Sequence, residues 1–184
     1  MRCVPGLLSS AACCVFLSCA AAAQEMPPMP KPGPEHELLK MEEGTWDAVV
    51  EMSPPGAPVM TSKGTEIATI GCGGLCLITK FDSDMGGMPF QGNGITTYDP
   101  GKKKYVGSWT DSMSVGMLTS EGTYDAATKV MTTWMEGPDA TGATQKLKAT
   151  TTYADADHRT MTMFMKAPDG TVMPGMKISY TRRK

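Results

Sequence analysis

Hydrophobic and polar residues alternate along most of the chain from residue 45 to residue 182. In residues 45–52 every even-numbered side chain is apolar, and near the other end Met176, Ile178 and Tyr180 alternate with polar residues. A period of two predicts β-strands with one buried face and one wet face. The strands predicted in this way span residues 45–52, 62–70, 75–82, 90–98, 104–110, 115–124, 129–136, 144–153, 159–166 and 173–182.

The segments between the predicted strands carry turn residues. Residues 99–102, 138–142 and 167–170 contain the Asp, Pro and Gly that favour tight connections. Three hairpins also repeat one pattern, in which a tyrosine near the end of a strand is followed ten or eleven positions later by another aromatic residue. The pairs are Tyr98 and Trp109, Tyr124 and Trp134, and Tyr153 and Phe164.

Ten consecutive antiparallel strands with one apolar face can bury that face in two ways. They close into a barrel or stack as two sheets, and closure alone removes the exposed strand edges. We therefore predict an all-β protein with a single antiparallel up-and-down (meander) barrel of about ten strands. A short helix over residues 35–43 precedes it, because Leu38, Leu39 and Met41 have helical spacing and Gly44 ends the helix.

The first 34 residues predict export. Residues 1–23 carry Arg2 as their single charge, an apolar run, and Ala21 and Ala23 before the expected cleavage site, which is the pattern of a secretory signal peptide. Residues 24–34 are a proline-rich leader, so the barrel domain is expected to span residues 35–184. A lipid anchor at Cys19 is the alternative to soluble export, although Phe16 stands where a lipoprotein signal has a small aliphatic residue. We expect a secreted or periplasmic protein with no membrane span.

Charge and motifs exclude several classes of function. Removal of Arg2 from the 17 basic residues leaves 16 against 19 acidic ones, a formal charge of −3. This balance lacks the basic footprint of a nucleic-acid-binding protein, so no nucleic acid is expected as a partner. The sequence also contains no P-loop, dinucleotide fingerprint or G-x-S-x-G motif.

The predicted helix and first strand resemble the opening of lipocalin-like barrels. In such barrels a short helix precedes the first strand, a tryptophan in a G-x-W motif plugs the closed end, and an arginine of the last strand covers the indole. The motif is present here as Gly44-Thr45-Trp46. Arg182 has the strand parity to lie over Trp46 as a cation on an aromatic face, whereas Arg183 points the other way.

Nearly all of the chain after the leader is similar to a bacterial family catalogued as domain of unknown function fifteen-seventy-nine. The segments that carry the likeness are residues 44–46, 85–90, 98–111, 121–125 and 180–182. The resemblance implies the barrel architecture. It implies no activity.

Cys72 and Cys76 are the two cysteines left after removal of the signal peptide. An extended chain would hold them about 13 Å apart, beyond the Cα separation of about 7 Å that a disulfide allows. Gly73 and Gly74 permit a tighter loop. A structural disulfide is the preferred interpretation for an oxidising compartment, and separate buried thiols are the alternative.

Methionine is unusually frequent, with 17 in the chain. Three pairs have M-x-x-M spacing (Met26 and Met29, Met85 and Met88, Met173 and Met176), and thioethers are soft ligands that suit Cu(I). We favour a packing role, because Met161, Met163 and Met165 alternate along one strand face as a pliable lining would. His36 in the helix and His158 in a turn suit neither a haem nor a zinc site, so no metal and no cofactor are predicted.

Three functions remain open at this point. The first is binding of a small apolar or amphipathic ligand in the barrel cavity. The second is an enzyme that uses carboxylates at the barrel mouth, where Asp82 and Asp84 precede a glycine-rich loop and Asp111 ends a strand. The third is a structural envelope protein whose barrel is filled by its own side chains. The candidate ligand contacts are Trp109, Asp111, Met88, Trp134 and Met163.

Overall fold

A computed structural model of the protein describes residues 28–54, 56–139, 141–167 and 169–184. The predicted signal peptide and the first part of the leader lie outside the described residues. Residues 31–184 form one compact unit, in which the helix α1 (His36–Glu42) precedes ten strands. The strands are β1 (Gly44–Met52), β2 (Met60–Gly71), β3 (Cys76–Asp84), β4 (Pro89–Asp99), β5 (Lys104–Asp111), β6 (Leu118–Asp125), β7 (Val130–Pro138), β8 (Thr144–Tyr153), β9 (His158–Lys166) and β10 (Val172–Arg182).

The ten strands form one closed antiparallel barrel, which confirms the predicted fold. Each strand pairs with its neighbours in the chain, and β1 pairs with β10 to close the barrel. At this seam Trp46 lies opposite Arg182, and Val50 lies opposite Ile178. Because directly opposed residues share a face of the sheet, the register shows which residues of every strand point inward.

The two ends of the barrel differ. The end called here the helix end carries α1 and the four-residue turns that follow β2, β4, β6 and β8. The opposite end, called the loop end, carries the connections that follow β1, β3, β5, β7 and β9. Inward side chains at the helix end, such as Leu77 and Tyr105, are buried, whereas inward Met135 and Met163 toward the loop end are only half-buried.

The helix α1 lies across the helix end of the barrel. Leu38 and Leu39 of its apolar face are buried in one cluster with Leu77 and Tyr105. The Tyr105 hydroxyl donates a hydrogen bond to the Glu35 carbonyl oxygen at 2.8 Å, which ties the start of the helix to β5. The barrel is therefore covered at this end by the residues that enter β1.

Two local features differ from the sequence prediction. The predicted sixth strand starts at residue 115, but β6 begins at Leu118, and Val115 and Met117 are exposed in the preceding loop. In β10 the register shifts between Pro174 and Met176, as a β-bulge produces. A spacing of three would normally place Met173 and Met176 on opposite faces, but the bulge turns both inward. In the described part of the chain, no helix has the length and hydropathy needed to cross a lipid bilayer.

Replacement of Trp46 by alanine should lower the free energy of unfolding by about 3–5 kcal/mol, because its buried indole fills the helix end. Trp134 is a matched control, since it is 59% exposed on the outer surface. Trp134→Ala should change stability by no more than about 0.5 kcal/mol. Urea unfolding of both variants measures the difference, and equal losses would show that Trp46 does not plug the barrel.

Candidate functional site

A buried arginine lies at the centre of the helix end. Arg159 of β9 has a side chain that is 5% exposed, and it forms ion pairs with Glu42 at the end of α1 and Glu66 of β2. Its guanidinium carbon lies 4.5 Å from the Trp46 ring centre and 4.4 Å from that of Tyr180. These five side chains, called here the helix-end cluster, connect α1 to the four strands around the β1–β10 seam.

Arg182 also lies over Trp46. Its guanidinium carbon is 4.1 Å from the indole ring centre, and its Nη2 donates a hydrogen bond to the Met41 carbonyl oxygen at 2.6 Å. Carbonyls in the last turn of a helix lack partners within the helix, so Arg182 serves as the C-terminal cap of α1. Arg183 points outward and pairs with Asp47 on the exposed side of β1.

The charges of the helix-end cluster depend on one another. Burial raises the pKa of the Glu66 carboxyl, and the nearby Arg159 charge opposes that rise. Burial alone would lower the pKa of Arg159, but the carboxylates of Glu42 and Glu66 outweigh it and raise that pKa. Arg159 is therefore a permanent cation held by acidic and aromatic groups. This end of the barrel is filled by protein and serves as a plug.

Trp109 of β5 lies flat against the inner wall in the other half of the barrel. A Cβ atom added to Gly92 would lie 2.1 Å from the indole Cζ2 atom, and one added to Gly94 would lie 3.0 Å from Cε3. Glycine at both positions of β4 is what allows this approach. The indole Nε1–H donates to Asp111 Oδ2 at 2.9 Å, and Asp111 Oδ1 accepts the Met113 backbone N–H at 2.9 Å. Trp109 is thus a fixed aromatic surface on the lumen wall.

Methionines line the opposite side of the lumen. In this ten-strand barrel β10 is five strands from β5 in both directions, so these strands face each other. The inward residues of β9, β10 and β1 toward the loop end are methionines with intermediate burial: Met161, Met163, Met165, Met173, Met176 and Met52. Met52, Met161 and Met176 pack against the core around Trp46, and Trp109 packs against the same core. The inner surface that Trp109 and this methionine wall form toward the loop end is called here the loop-end lumen.

Two predicted ligand contacts lie outside this lumen. Trp134 is on the outer face of β7, with Lys148 Nζ 5.8 Å from its ring centre. Side chains of a strand alternate between its two faces, so an odd spacing places two residues on opposite faces. Trp134 comes three residues after inward Met131 and is therefore outward. Trp109 comes four residues after inward Tyr105 and is therefore inward. The aromatic repeat therefore marks hairpins and not a common face. Met88 is 59% exposed in the loop between β3 and β4.

The carboxylates predicted at the barrel mouth do not come together. Asp82 faces outward, where it pairs with Lys80 Nζ at 3.2 Å and accepts a hydrogen bond from Gln91 Nε2 at 3.0 Å. Asp84 accepts a hydrogen bond from the Gly87 backbone in the exposed loop. Of these three residues, Asp111 alone faces inward. Their carboxylates therefore do not form a pair in the lumen that could act as general acid and general base.

The remaining polar candidates have local roles. Cys72 and Cys76 are joined by a disulfide with a Cα–Cα distance of 5.5 Å, across a tight turn that includes Cys72–Gly74. His36 is buried and accepts the Gly33 backbone N–H on Nδ1 at 3.0 Å, and His158 is exposed beside Asp155. Among the described residues, no three His, Cys, Asp or Glu side chains are grouped so as to hold a metal ion.

Comparisons with known proteins support the architecture. A family model described as "Protein of unknown function (DUF1579)" matches residues 31–182. No curated protein matches the chain. The crystal structure of Rv2717c from M. tuberculosis is similar, with a TM-score of 0.63 and 14% identity over 83% of this chain and 99% of that one. The S-type phycobiliprotein lyase CPES from Guillardia theta has a TM-score of 0.56 and 11% identity, over 82% of this chain and 93% of that one. At these identities the likeness concerns the fold.

Arg159→Ala should destabilise the protein by about 3–5 kcal/mol, because it leaves the Glu42 and Glu66 carboxylates without their buried cation. Arg183→Ala removes an arginine from an exposed pair and should leave the free energy of unfolding nearly unchanged. Chemical denaturation of the two variants makes the comparison. A nearly unchanged Arg159→Ala protein would show that the cluster does not hold the helix end together.

Stability should fall as pH rises above about 10, the ordinary phenol pKa. Burial, with a smaller effect from Glu35, raises the pKa of Tyr105 to about 12, and burial also raises the pKa of Tyr153 and Tyr180. The folded protein therefore binds these protons more tightly than the unfolded chain, so their contribution is complete below pH 10. The contribution of Tyr105 is lost as the pH rises toward 12. Urea unfolding at a series of pH values measures how the free energy of unfolding falls with pH. The fall should be shallower in Tyr105→Phe. An equally steep fall in that variant would show that Tyr105 does not contribute to it.

Proposed function

The chain belongs to the family described as "Protein of unknown function (DUF1579)", and we propose that it is an exported binding protein. Its ligand is one small apolar or amphipathic molecule held in the loop-end lumen. The pattern of residues 1–23 supports export. The phycobiliprotein lyase shares the barrel fold with this chain, and that likeness does not identify the ligand.

One observation carries this proposal: apolar side chains that point into the barrel remain accessible toward the loop end. Trp109, Met135 and Met163 are inward by register yet only half-buried, whereas Trp46 at the helix end is 2% exposed. A barrel packed by its own side chains would bury both sets alike. Accessible apolar surface inside a concave wall is the usual property of a small-molecule site.

Small polar residues flank these apolar groups on the inner wall. Gly107 of β5 lies between Thr96 of β4 and Ser120 of β6, whose hydroxyl oxygens would lie 3.1 Å from a Cβ atom added to Gly107. The same Cβ atom would lie 2.5 Å from the Ile95 carbonyl oxygen, so the strands approach closely at this glycine. These two hydroxyls and the inward carboxylate of Asp111 are the polar groups closest to Trp109 along the wall of β4, β5 and β6. A ligand with an apolar body and one polar end therefore matches the chemistry of this wall better than a pure hydrocarbon does.

A substitution that fills the lumen tests the proposal. Ser120→Phe places a phenyl ring at an inward position, and Thr119→Phe places the same ring outside on the neighbouring residue. The probe is N-phenyl-1-naphthylamine, a neutral apolar dye whose fluorescence rises in apolar sites. The wild-type protein and Thr119→Phe should bind the dye alike. Ser120→Phe should bind at least about tenfold more weakly, which corresponds to about 1.4 kcal/mol.

Stability measurements on the same variants separate an open lumen from a filled one. If free space is present, the ring of Ser120→Phe enters it. The substitution then lowers the free energy of unfolding by less than the roughly 1–3 kcal/mol that overpacking usually costs. A wild-type protein that does not bind the dye, or a Ser120→Phe variant that binds it normally, would contradict the proposal. A loss of about 3 kcal/mol or more in Ser120→Phe would indicate a filled barrel.

A further inference from the structure

Strand register aligns four methionines in one row on the inner wall. Met163 of β9 lies opposite Met176 of β10, Met176 lies opposite Met52 of β1, and Met52 lies opposite Met60 of β2. The Ser53 backbone N–H donates to the Gly175 carbonyl oxygen at 2.8 Å, so the β1–β10 pairing extends past this row. The row crosses the seam where the first and last strands meet, which is why spacing along the sequence does not show it.

The β-bulge in β10 adds two more thioethers beside the row. Because of the bulge, Met173 faces inward and lies opposite Met165 of β9. The Met165 side chain passes over Gly175, where an added Cβ atom would lie 2.6 Å from its sulfur. Glycine at position 175 therefore leaves the space that the Met165 thioether occupies. Both sulfurs belong to the same patch as Met163 and Met176.

Methionine is concentrated in this part of the inner wall. Other large aliphatic inward positions hold leucine or isoleucine, and methionine also occurs on β7: Leu77, Leu118, Leu147, Ile70, Ile178, Met131 and Met135. Leucine and methionine have similar volumes and are nearly interchangeable as filling. What methionine adds is a soft, polarizable sulfur on a flexible chain, and thioethers are ligands that select soft ions.

The geometry suits a small cation. Neighbouring strands lie about 4.8 Å apart, so the flexible thioethers of three adjacent strands can meet in front of the middle one. The charged residues nearest the row, Glu51 and Lys177, are one position away from it and pair on the outer face. No inward lysine or arginine in the described residues of β1 and β10 lies at this level to repel a cation.

We propose that the thioethers of Met52, Met163 and Met176 form a binding site for one soft monovalent metal ion, of the class of Cu(I) and Ag(I). The half-buried state of these side chains leaves the site open to the lumen. Met165 and Met173 lie beside it and supply additional sulfur ligands. The metal site shares Met163 with the surface proposed for the apolar ligand, but it can be tested independently, because it depends on sulfur donors and not on free volume.

The test uses the full chain with [methyl-¹³C]methionine, titrated with silver nitrate in chloride-free buffer. Thiols of the N-terminal cysteines are first blocked with N-ethylmaleimide, so that thioethers are the remaining soft donors. At one equivalent of Ag(I), the methyl resonances of Met52, Met163 and Met176 should shift. Those of Met88, Met113 and Met117, which are 59%, 55% and 56% exposed in loops, should not.

Two triple variants provide the matched comparison by calorimetry. Met52→Leu, Met163→Leu and Met176→Leu together keep the side-chain volume and should weaken Ag(I) binding at least about tenfold. The loop triple Met88→Leu, Met113→Leu and Met117→Leu should bind like the wild type. Circular dichroism establishes that both variants are folded. Absence of Ag(I) binding in the wild type, equal binding by the folded row variant, or loss in the loop variant would each overturn the proposal.

Discussion

The fold depends on one buried cation, the Arg159 guanidinium. It lies inward on β9 and pairs with Glu66 of β2 across the seam at which the first and last strands close the barrel. Its second partner, Glu42, ends the helix that covers the same opening. The aromatic rings of Trp46 and Tyr180 cover the charge. Because a buried cation must keep its partners, Arg159 links the helix, the seam and the plug to one another. The Arg182 cap and the Tyr105 hydrogen bond reinforce the attachment of the helix.

A plug at one end determines where a ligand site can form. The helix end is occupied by the helix-end cluster and by buried residues such as Leu39 and Tyr105, so accessible inner surface is concentrated toward the loop end. There the wall consists of an indole held flat over Gly92 and Gly94 and, across the barrel, of thioethers. The proposed ligand and the proposed metal ion both use this surface. The ligand proposal depends on its accessible apolar side chains, and the metal proposal depends on its sulfur atoms.

The sequence predicted the barrel because period-two alternation is local and repeats in every strand. The same alternation indicates the side of Arg182 and of Met163. It also makes Trp134 outward, so the prediction of Trp134 as a ligand contact did not follow the alternation. The Gly175 bulge and the cross-strand methionine row depend on register, which alternation within single strands does not determine. Glu66 and Arg159 are charged residues at inward strand positions, and this could have predicted a buried ion pair. The two residues are 93 positions apart, so one sequence could not show that they pair with each other.

The inner wall is sealed at the helix end and accessible at the loop end. Oxidation of methionines by hydrogen peroxide in the native protein, followed residue by residue by peptide mass spectrometry, measures this difference directly. Inward Met163 and Met165 should oxidise at initial rates close to that of exposed Met113, whereas inward Met131, 8% exposed at the helix end, should be protected. If Met163 and Met165 are as protected as Met131, the barrel is filled throughout and the account of its lumen is wrong.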